Sequence, residues 1–194
     1  DDETWNKFLD QLTVEQLCNT VTDSKSTNTI STLDVPGNTK GDDDTNAAGG
    51  AIQFVSHPLT ARTWNTDMNE KRGLYEGLIC TLNGKDEIWY GAGNLHRHPY
   101  GGRAGQYWSE DATLDYYNGY YEAQAAQSVG CITCVKHMAC NDQEAKRTGL
   151  SVFVDEQALR EIYLRAFEGA FDGGALSVMT TTGRIGTRLK SEAK

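Results

Sequence analysis

The segment "KHMACNDQEAKR", residues 136 to 147, gathers polar and ionisable side chains at the end of an apolar run. It holds two acids, three bases, one histidine, one asparagine and one glutamine. Together these groups can donate and accept several hydrogen bonds to a polar ligand. Taken alone, Lys136 and His137 at a strand end are more often a solvated edge, and Arg147 is more often a weak surface ion pair. The segment therefore suggests a site only if other motifs support it.

A second interpretation of the same region is a zinc site. The spacing of Cys131, Cys134, His137 and Cys140 resembles that of zinc ligands. If residues 131–135 form a strand, the first two cysteines point to opposite faces and cannot share a metal, whereas on a turn they could. We expect no metal and no cofactor, and we keep a small zinc-binding module as a minor alternative.

The elements that would position the polar segment alternate regularly. The spacing from His96 to His137 is close to that from His137 to Met179, which is the length of one helix plus one strand. Such spacing predicts parallel βα units, in a barrel or a doubly wound sheet, with active-site groups at the carboxyl ends of the strands. Strands are expected near 88–95, 131–137 and 175–181, and helices outside them near 66–79, 110–129 and 156–171.

Local signals give the helix ends and faces. Asn65 and Asp155 are expected to cap helices, and Ser109 is expected to begin one. Residues 1–21 are expected to form two short lead-in helices, with Thr13 capping the second, and residues 22–50 a long loop with at most one short strand. The predicted apolar faces of the helices near 66–79 and 110–129 comprise Met68, Leu74, Tyr75 and Leu78, and Leu114, Tyr117, Tyr121, Ala125 and Val129.

Three long stretches resemble one known family. "NLHRHPYGGRAGQYWSEDATL", residues 94–114, resembles the "NIHRxPxxGRNFEYYSEDPxL" run of glycoside hydrolase family 3. "GCITCVKHMACNDQEAKR" is similar to that family's "G…KHFxxNxQExxR", and "VDEQALREIYLRAFEGAFDGGALSVMT" to its "vdERalREiYLkpFE…vMtsyN". "DETWNKFLDQLTVEQL" and "RIGTR" are most similar to its β-glucosidase branch. The stretches are in order and correctly spaced from about residue 5 to residue 187.

The resemblance implies a fold and an activity. The fold is α/β, a (β/α)8 TIM-barrel-like domain, of which residues 1–194 would contain about four βα units, a partial barrel. The activity is retaining, double-displacement hydrolysis of terminal β-D-glucosidic bonds, which requires no metal and uses two carboxylates. The expected partners are a β-linked glucoside or oligosaccharide, the rest of the barrel and an α/β sandwich domain, with a homodimer left open.

The resemblance also implies substrate-binding residues. Arg103 stands at the "GR" arginine, Lys136 and His137 at the "KH" pair, and Arg147 at the arginine that closes the "NxQExxR" run. Forked guanidinium groups can each hold two neighbouring sugar hydroxyls, and a neutral imidazole can donate one hydrogen bond. The resemblance further places Asp44 near the family's early "DG" aspartate and Met179 in its "VMT" run.

The chain departs from the family pattern at three places. "DGP" is replaced by Asp44-Thr45-Asn46, the glutamate of "NFEYY" by Gln106, and "SYN" by Thr181-Thr182-Gly183. Each change is expected to remove a hydrogen bond or a stacking face near the pocket. The nucleophilic aspartate is expected beyond Lys194, so no catalytic residue is assigned and this chain alone is expected to be inactive. A non-catalytic carbohydrate-binding or scaffold relative is the alternative function.

Composition limits the partners. Eighteen basic against twenty-seven acidic residues give a net charge of −9, and the mean hydropathy is −0.56. Nucleic acid and anionic membranes attract basic surfaces, so neither is expected as a partner, whereas a neutral sugar is compatible with this charge. The compartment stays open, with the cytoplasm favoured over secretion.

Overall fold

The computed structural model describes residues 2–22, 26–43, 53–90 and 93–192, which form two compact units, Asp1–Lys40 and Gly41–Lys194. The first unit begins with two helices, as predicted, and the second of them is capped reciprocally. Thr13 Oγ1 accepts from the Gln16 amide, and Gln16 Oε1 accepts from the Thr13 amide. Its elements are α1 (Asp2–Leu9), α2 (Val14–Thr22), β1 (Ser26–Thr27), a 3₁₀ turn (Ser31–Leu33) and the start of β2 (Asn38–Asp43).

The prediction of at most one short strand in residues 22–50 is wrong. β1 and β2 form an antiparallel pair, in which Ser26 lies opposite Thr39 and Thr27 opposite Asn38. These strands consist largely of serine, threonine, asparagine and aspartate, so they show none of the apolar alternation by which strands are recognised.

The second unit contains the alternating helices and strands. Its helices are α3 (His57–Ala61), α4 (Thr66–Leu82), α5 (Ala112–Ser128), α6 (Glu156–Ala158), a π-helical segment (Leu159–Leu164) and α7 (Arg165–Asp172), with 3₁₀ turns at Arg147–Gly149 and Lys190–Glu192. Its further strands are β3 (Glu87–Tyr90), β4 (Ile132–Met138), β5 (Ser151–Val152), β6 (Ser177–Thr180), β7 (Arg184–Ile185) and β8 (Arg188–Leu189). None of the described helices is long and apolar enough to cross a membrane.

Three strands form the predicted parallel array. β4 pairs in parallel with β3, placing Ile88 beside Thr133, and with β6, placing Val135 beside Val178. The expectation that these strands are parallel neighbours is confirmed. Among the described residues β3 covers Glu87–Tyr90, and residues 93–95 of the predicted range lie outside it. A separate small sheet joins β5 in parallel to β7 and β7 antiparallel to β8.

Of the three helix starts predicted in the second unit, two are correct. Asn65 Oδ1 accepts from the amides of Asp67 and Met68, and Asp155 Oδ1 accepts from the amide of Ala158. The start at Ser109 is wrong, because Asp111 is the cap of α5.

The predicted apolar face of α4 is wrong, and that of α5 is correct only in part, because Leu114 and Ala125 are buried. Tyr75 and Tyr117 are each about half exposed, while the buried positions include Arg72, Glu76 and Glu122. The reason is that these helices pack through glycines and bury a polar network. A Cβ at Gly77 would lie 2.8 Å from the carbonyl oxygen of Ala126, and a Cβ at Gly73 would lie closer still to the carbonyl oxygen of Glu122. The two backbones are too close for large apolar side chains between them.

An apolar core lies between β4 and the helix that follows it. Val135 of β4, Leu95 of the preceding loop, and Phe167 and Ala170 of α7 are buried in one cluster. This packing fixes the carboxyl end of β4 against α7. The polar residues 136–147 therefore begin on a rigid support.

Candidate functional site

The site is built at the carboxyl end of β4. Lys136 and His137 are both buried there, at 2% and 4% exposure. Met179 of β6 is the ladder partner of Lys136, so the two side chains lie on the same face of the sheet. The structure thus brings three of the predicted residues together where the strand leaves the core.

The Glu144 carboxylate binds two of the predicted arginines. Arg103 Nε lies 2.9 Å from Glu144 Oε1, and Arg147 Nη1 lies 3.0 Å from Oε2. Burial acts to raise the pKa of Glu144, but hydrogen bonds from Asn141 and Arg103 and the charges of both arginines lower it below its ordinary value. Glu144 is therefore ionised at neutral pH and holds the guanidinium groups side by side.

His137 lies within reach of the same positive charges. Burial lowers the pKa of His137 to about 3, and the charges of Arg103, Lys136 and Arg147 act in the same direction. Its Nδ1 atom is 2.9 Å from the Tyr107 hydroxyl. The imidazole is therefore neutral across the physiological range.

Asn141 connects three strand ends. Its Nδ2 atom donates to the Tyr107 hydroxyl at 2.8 Å and to Glu144 Oε1 at 2.7 Å, and its Oδ1 atom accepts from Thr181 Oγ1 at 2.9 Å. Its backbone amide donates to Asn94 Oδ1 at 2.7 Å. Asn94 and Tyr107 follow β3, Asn141 and Glu144 follow β4, and Thr181 follows β6 directly.

Residues at two departures from the family pattern make hydrogen bonds, and the expectation of a lost contact is wrong at Gln106. At Thr182 and Gly183, which replace the aromatic residue and the asparagine of "SYN", it stays a prediction. Gln106 Oε1 accepts from Arg103 Nη1 at 2.8 Å, because an amide oxygen can accept as a carboxylate oxygen does. Thr181 donates to Asn141 as described above. Residue 44, and with it the predicted role of Asp44, lies outside the described residues.

Sequence reasoning missed Tyr107, Asn141 and Glu144 as functional candidates, although all three lie inside the quoted motifs. The motifs give an order of residues but no hydrogen-bond partners. Asn141 and Glu144 are polar residues four and seven positions after His137. Their closeness to the "KH" pair was the available signal for both.

A second buried polar network lies among the helices. His57 Nε2 is 3.1 Å from Glu122 Oε1, and Arg72 Nε is 2.7 Å from Glu76 Oε1 and 3.5 Å from Glu122 Oε1. The Trp108 indole donates to Glu122 Oε2 at 3.0 Å. Arg72 thus places a positive charge beside the two buried carboxyl groups.

The cysteine-rich metal alternative is not supported. Among the described residues, the one set of three His, Cys, Asp or Glu donor atoms within 4.8 Å of one another is His57, Glu76 and Glu122. Cys131, Cys134, His137 and Cys140 do not form such a set, since the first two lie on and beside a strand rather than on a turn. Arg72 takes the place of a cation in the set that does exist, so we assign no metal there.

No protein-family profile matches the chain. The β-glucosidase of Ruminococcus albus is 38% identical over 136 residues, which is 70% of this chain and 14% of that protein. The structure of β-glucosidase 3B from Thermotoga neapolitana in complex with α-D-glucose has a TM-score of 0.87 at 28% identity, covering 96% of this chain and 30% of that one. The GH3 β-glucosidase of Bifidobacterium adolescentis has a TM-score of 0.83 at 27% identity, covering 92% and 27%.

The chain therefore spans less than a third of the length of each of these proteins. Within that span the motifs, the parallel βα order and the superposed backbone agree with one another. Its α/β fold matches part of the N-terminal barrel domain of these enzymes. The chain belongs to glycoside hydrolase family 3.

Proposed function

We propose that the longer protein containing this chain hydrolyses terminal β-D-glucosidic bonds with retention, and that this chain supplies the sugar-binding half of the site. The observation that supports this most directly is the single cluster formed by Arg103, Arg147, Glu144 and His137 at the end of β4. Arg103 comes from the loop after β3, Glu144 and Arg147 come from the loop after β4, and His137 lies at the end of β4 itself. In parallel βα folds such loops form the substrate site.

The chemistry of the cluster suits a neutral sugar. A pyranose ring presents hydroxyl groups on every edge, and each can both donate and accept. The two guanidinium groups held by Glu144 offer several donors in fixed planes, and the Lys136 ammonium offers compact ones. We assign substrate binding to Arg103, Lys136, His137, Arg147 and Met179, together with Asp44.

The reaction needs two carboxylates in addition. A retaining glycosidase places a nucleophile and an acid about 5 Å apart, on either side of the glycosidic bond. We assign neither to the described residues. We propose that the nucleophile comes from a later strand of the same barrel, of which this chain forms about four units, and that an α/β sandwich domain accompanies the barrel.

The alternative of a non-catalytic relative has less support. The similar proteins described above are all named as β-glucosidases. Gln106 still accepts a hydrogen bond from Arg103, so the replacement of the glutamate at this position does not by itself indicate a lost site.

The test compares this chain with the longer protein. An aryl β-glucoside should be hydrolysed by the longer protein, with a β-configured product first, and not by residues 1–194 alone. Groups that bind substrate and transition state equally do not accelerate the chemical step. No hydrolysis by the longer protein, with glucose binding retained, would favour the non-catalytic alternative. Turnover by the short chain would place a nucleophile within it, with Asp142 among the first to examine.

A further inference from the structure

The hydrogen-bond partners of Glu144 fix the orientation of the Asn141 side chain. An ionised carboxylate accepts hydrogen bonds and cannot donate them. Glu144 is ionised because it pairs with Arg103 and Arg147, so the Asn141 atom 2.7 Å from it must be the amide nitrogen. On the other side, the Asn141 oxygen accepts from Thr181. Both contacts agree on one orientation of the amide.

This orientation determines the direction of the next hydrogen bond. The same Asn141 nitrogen is 2.8 Å from the Tyr107 hydroxyl, which must therefore accept there. Tyr107 is buried, at 2% exposure, so solvent does not compete for its proton. The acceptor for that proton is His137 Nδ1, at 2.9 Å. The hydroxyl thus accepts from Asn141 and donates to His137.

The direction of this second bond fixes the tautomer of His137. A nitrogen that accepts a hydrogen bond carries no proton, so in the neutral ring the proton resides on the other nitrogen. We propose that Tyr107 is a positioning residue that holds His137 as the neutral Nε2–H tautomer, giving the site a fixed donor for one sugar hydroxyl. This inference about His137 extends the proposed function. The statement that the donor serves a sugar hydroxyl rests on that proposed function.

Charges around the ring act in the same direction. Three cationic groups face His137: Lys136 from its own strand, Arg103 from the loop after β3, and Arg147 from the loop after β4. The acid that faces it is Glu144, which pairs with both arginines. A second proton on the imidazole would add a fourth positive charge without a new acceptor. His137 is therefore expected to donate the same hydrogen bond from about pH 5 to 8.

Nitrogen NMR of the protein labelled with ¹⁵N at histidine reads the tautomer directly. The chain has four histidines, and His137→Gln assigns the relevant signals by their loss. We expect a protonated Nε2 and an unprotonated, hydrogen-bonded Nδ1 that do not change between pH 5 and 8. A proton on Nδ1 at neutral pH, or a titration near the ordinary histidine value, would overturn the proposal.

Tyr107→Phe removes the hydroxyl and keeps the ring. The Nδ1 signal should move to that of an unbonded nitrogen or show a second tautomer, and glucose affinity should fall roughly three- to tenfold, as for loss of one hydrogen bond. Tyr100→Phe is the matched control, because Tyr100 is 87% exposed and its ring contacts His98 instead. An unchanged Nδ1 signal in a folded Tyr107→Phe protein would also refute the assignment.

The two readouts separate the inference from the proposed function. If the wild-type protein shows the Nε2–H tautomer but binds no glucose, the role of Tyr107 stands and the proposed sugar site fails. If glucose binds while Nδ1 carries a proton, the sugar site stands and the role of Tyr107 is rejected.

Discussion

Gly169 of α7 lies directly against the backbone carbonyl of Tyr116 in α5, so that a Cβ at residue 169 would overlap the carbonyl oxygen. Gly173, one turn later, lies in the same way against Tyr120. α5 and α7 can approach each other this closely because residues 169 and 173 have no side chains. Since α7 also packs on β4, this contact supports the strand that ends at the candidate site.

Gly169→Ala should destabilise the protein in spite of the better helix propensity of alanine. Propensity favours alanine by about 1 kcal/mol, whereas overpacking against a rigid backbone costs about 1–3 kcal/mol or more. We expect a net fall in the melting temperature of several degrees in thermal unfolding. Gly105→Ala is the control, because no atom lies within 4 Å of a Cβ at that position. Equal melting temperatures for both variants would contradict the close helix contact.

Stability should fall as the pH rises through the neutral range because of Glu76. Burial raises the pKa of Glu76 from 4.5 to about 8, and the neighbouring Glu122 carboxyl adds to this increase. The charges of Arg72 and His57 oppose it. Between these values the folded state keeps a proton that the unfolded state has lost. The free energy of unfolding therefore decreases with pH, by up to about 1.4 kcal/mol per unit for one proton, and the contribution is fully present only below about 4.5.

Glu76→Gln should flatten this dependence, because the amide resembles the protonated acid and does not titrate. Denaturant unfolding at pH 5, 6, 7 and 8 measures the slope for each protein. Glu156→Gln is the matched control, since Glu156 is exposed in its pair with Arg160 and should leave the slope unchanged. Parallel slopes for wild type and Glu76→Gln would show that Glu76 does not hold the proton.

Glu144→Gln should weaken sugar binding more than it weakens the fold. The carboxylate and its two arginines are about a quarter to a third exposed, and such ion pairs contribute at most about 1 kcal/mol to stability. Without the charge, Arg103 and Arg147 are no longer held side by side, and we expect roughly tenfold weaker glucose binding by titration calorimetry. A variant that loses several kcal/mol of stability but binds glucose normally would assign Glu144 a purely structural role.

Two substitutions of Lys136 should distinguish the contribution of its ammonium group from that of its aliphatic stem. The Lys136 side chain is buried, so its aliphatic stem is expected to contribute packing as well. Lys136→Ala should therefore lose both stability and sugar affinity, with a stability cost of about 1–3 kcal/mol. Lys136→Met keeps most of the stem contacts, so it should lose affinity with a smaller change in melting temperature. Equal thermal losses in the two variants would argue that the ammonium group, not the stem, stabilises the fold.

The sequence by itself determined the parts of the protein that depend on neighbours along the chain. Asn65 and Asp155 cap helices because a side-chain oxygen two or three residues before a free amide can reach it. The regular spacing of helices and strands predicted the parallel pairing of β3, β4 and β6, since each crossover needs about that length of chain. The motifs likewise identified Arg103, Lys136, His137 and Arg147 as candidates.

Only the tertiary structure decided what depends on distant residues. In the sequence, Gly73 and Gly169 are residues of low helix propensity, yet in the structure they allow close contact between two helix backbones. Buried Arg72, Glu76 and Glu122 occupy the helix face that was expected to be apolar. The link from Asn141 through Tyr107 to His137 spans more than thirty residues of chain. A hydrogen bond needs its two atoms within about 3 Å in a defined direction, and that geometry arises only when separate strand ends are packed side by side.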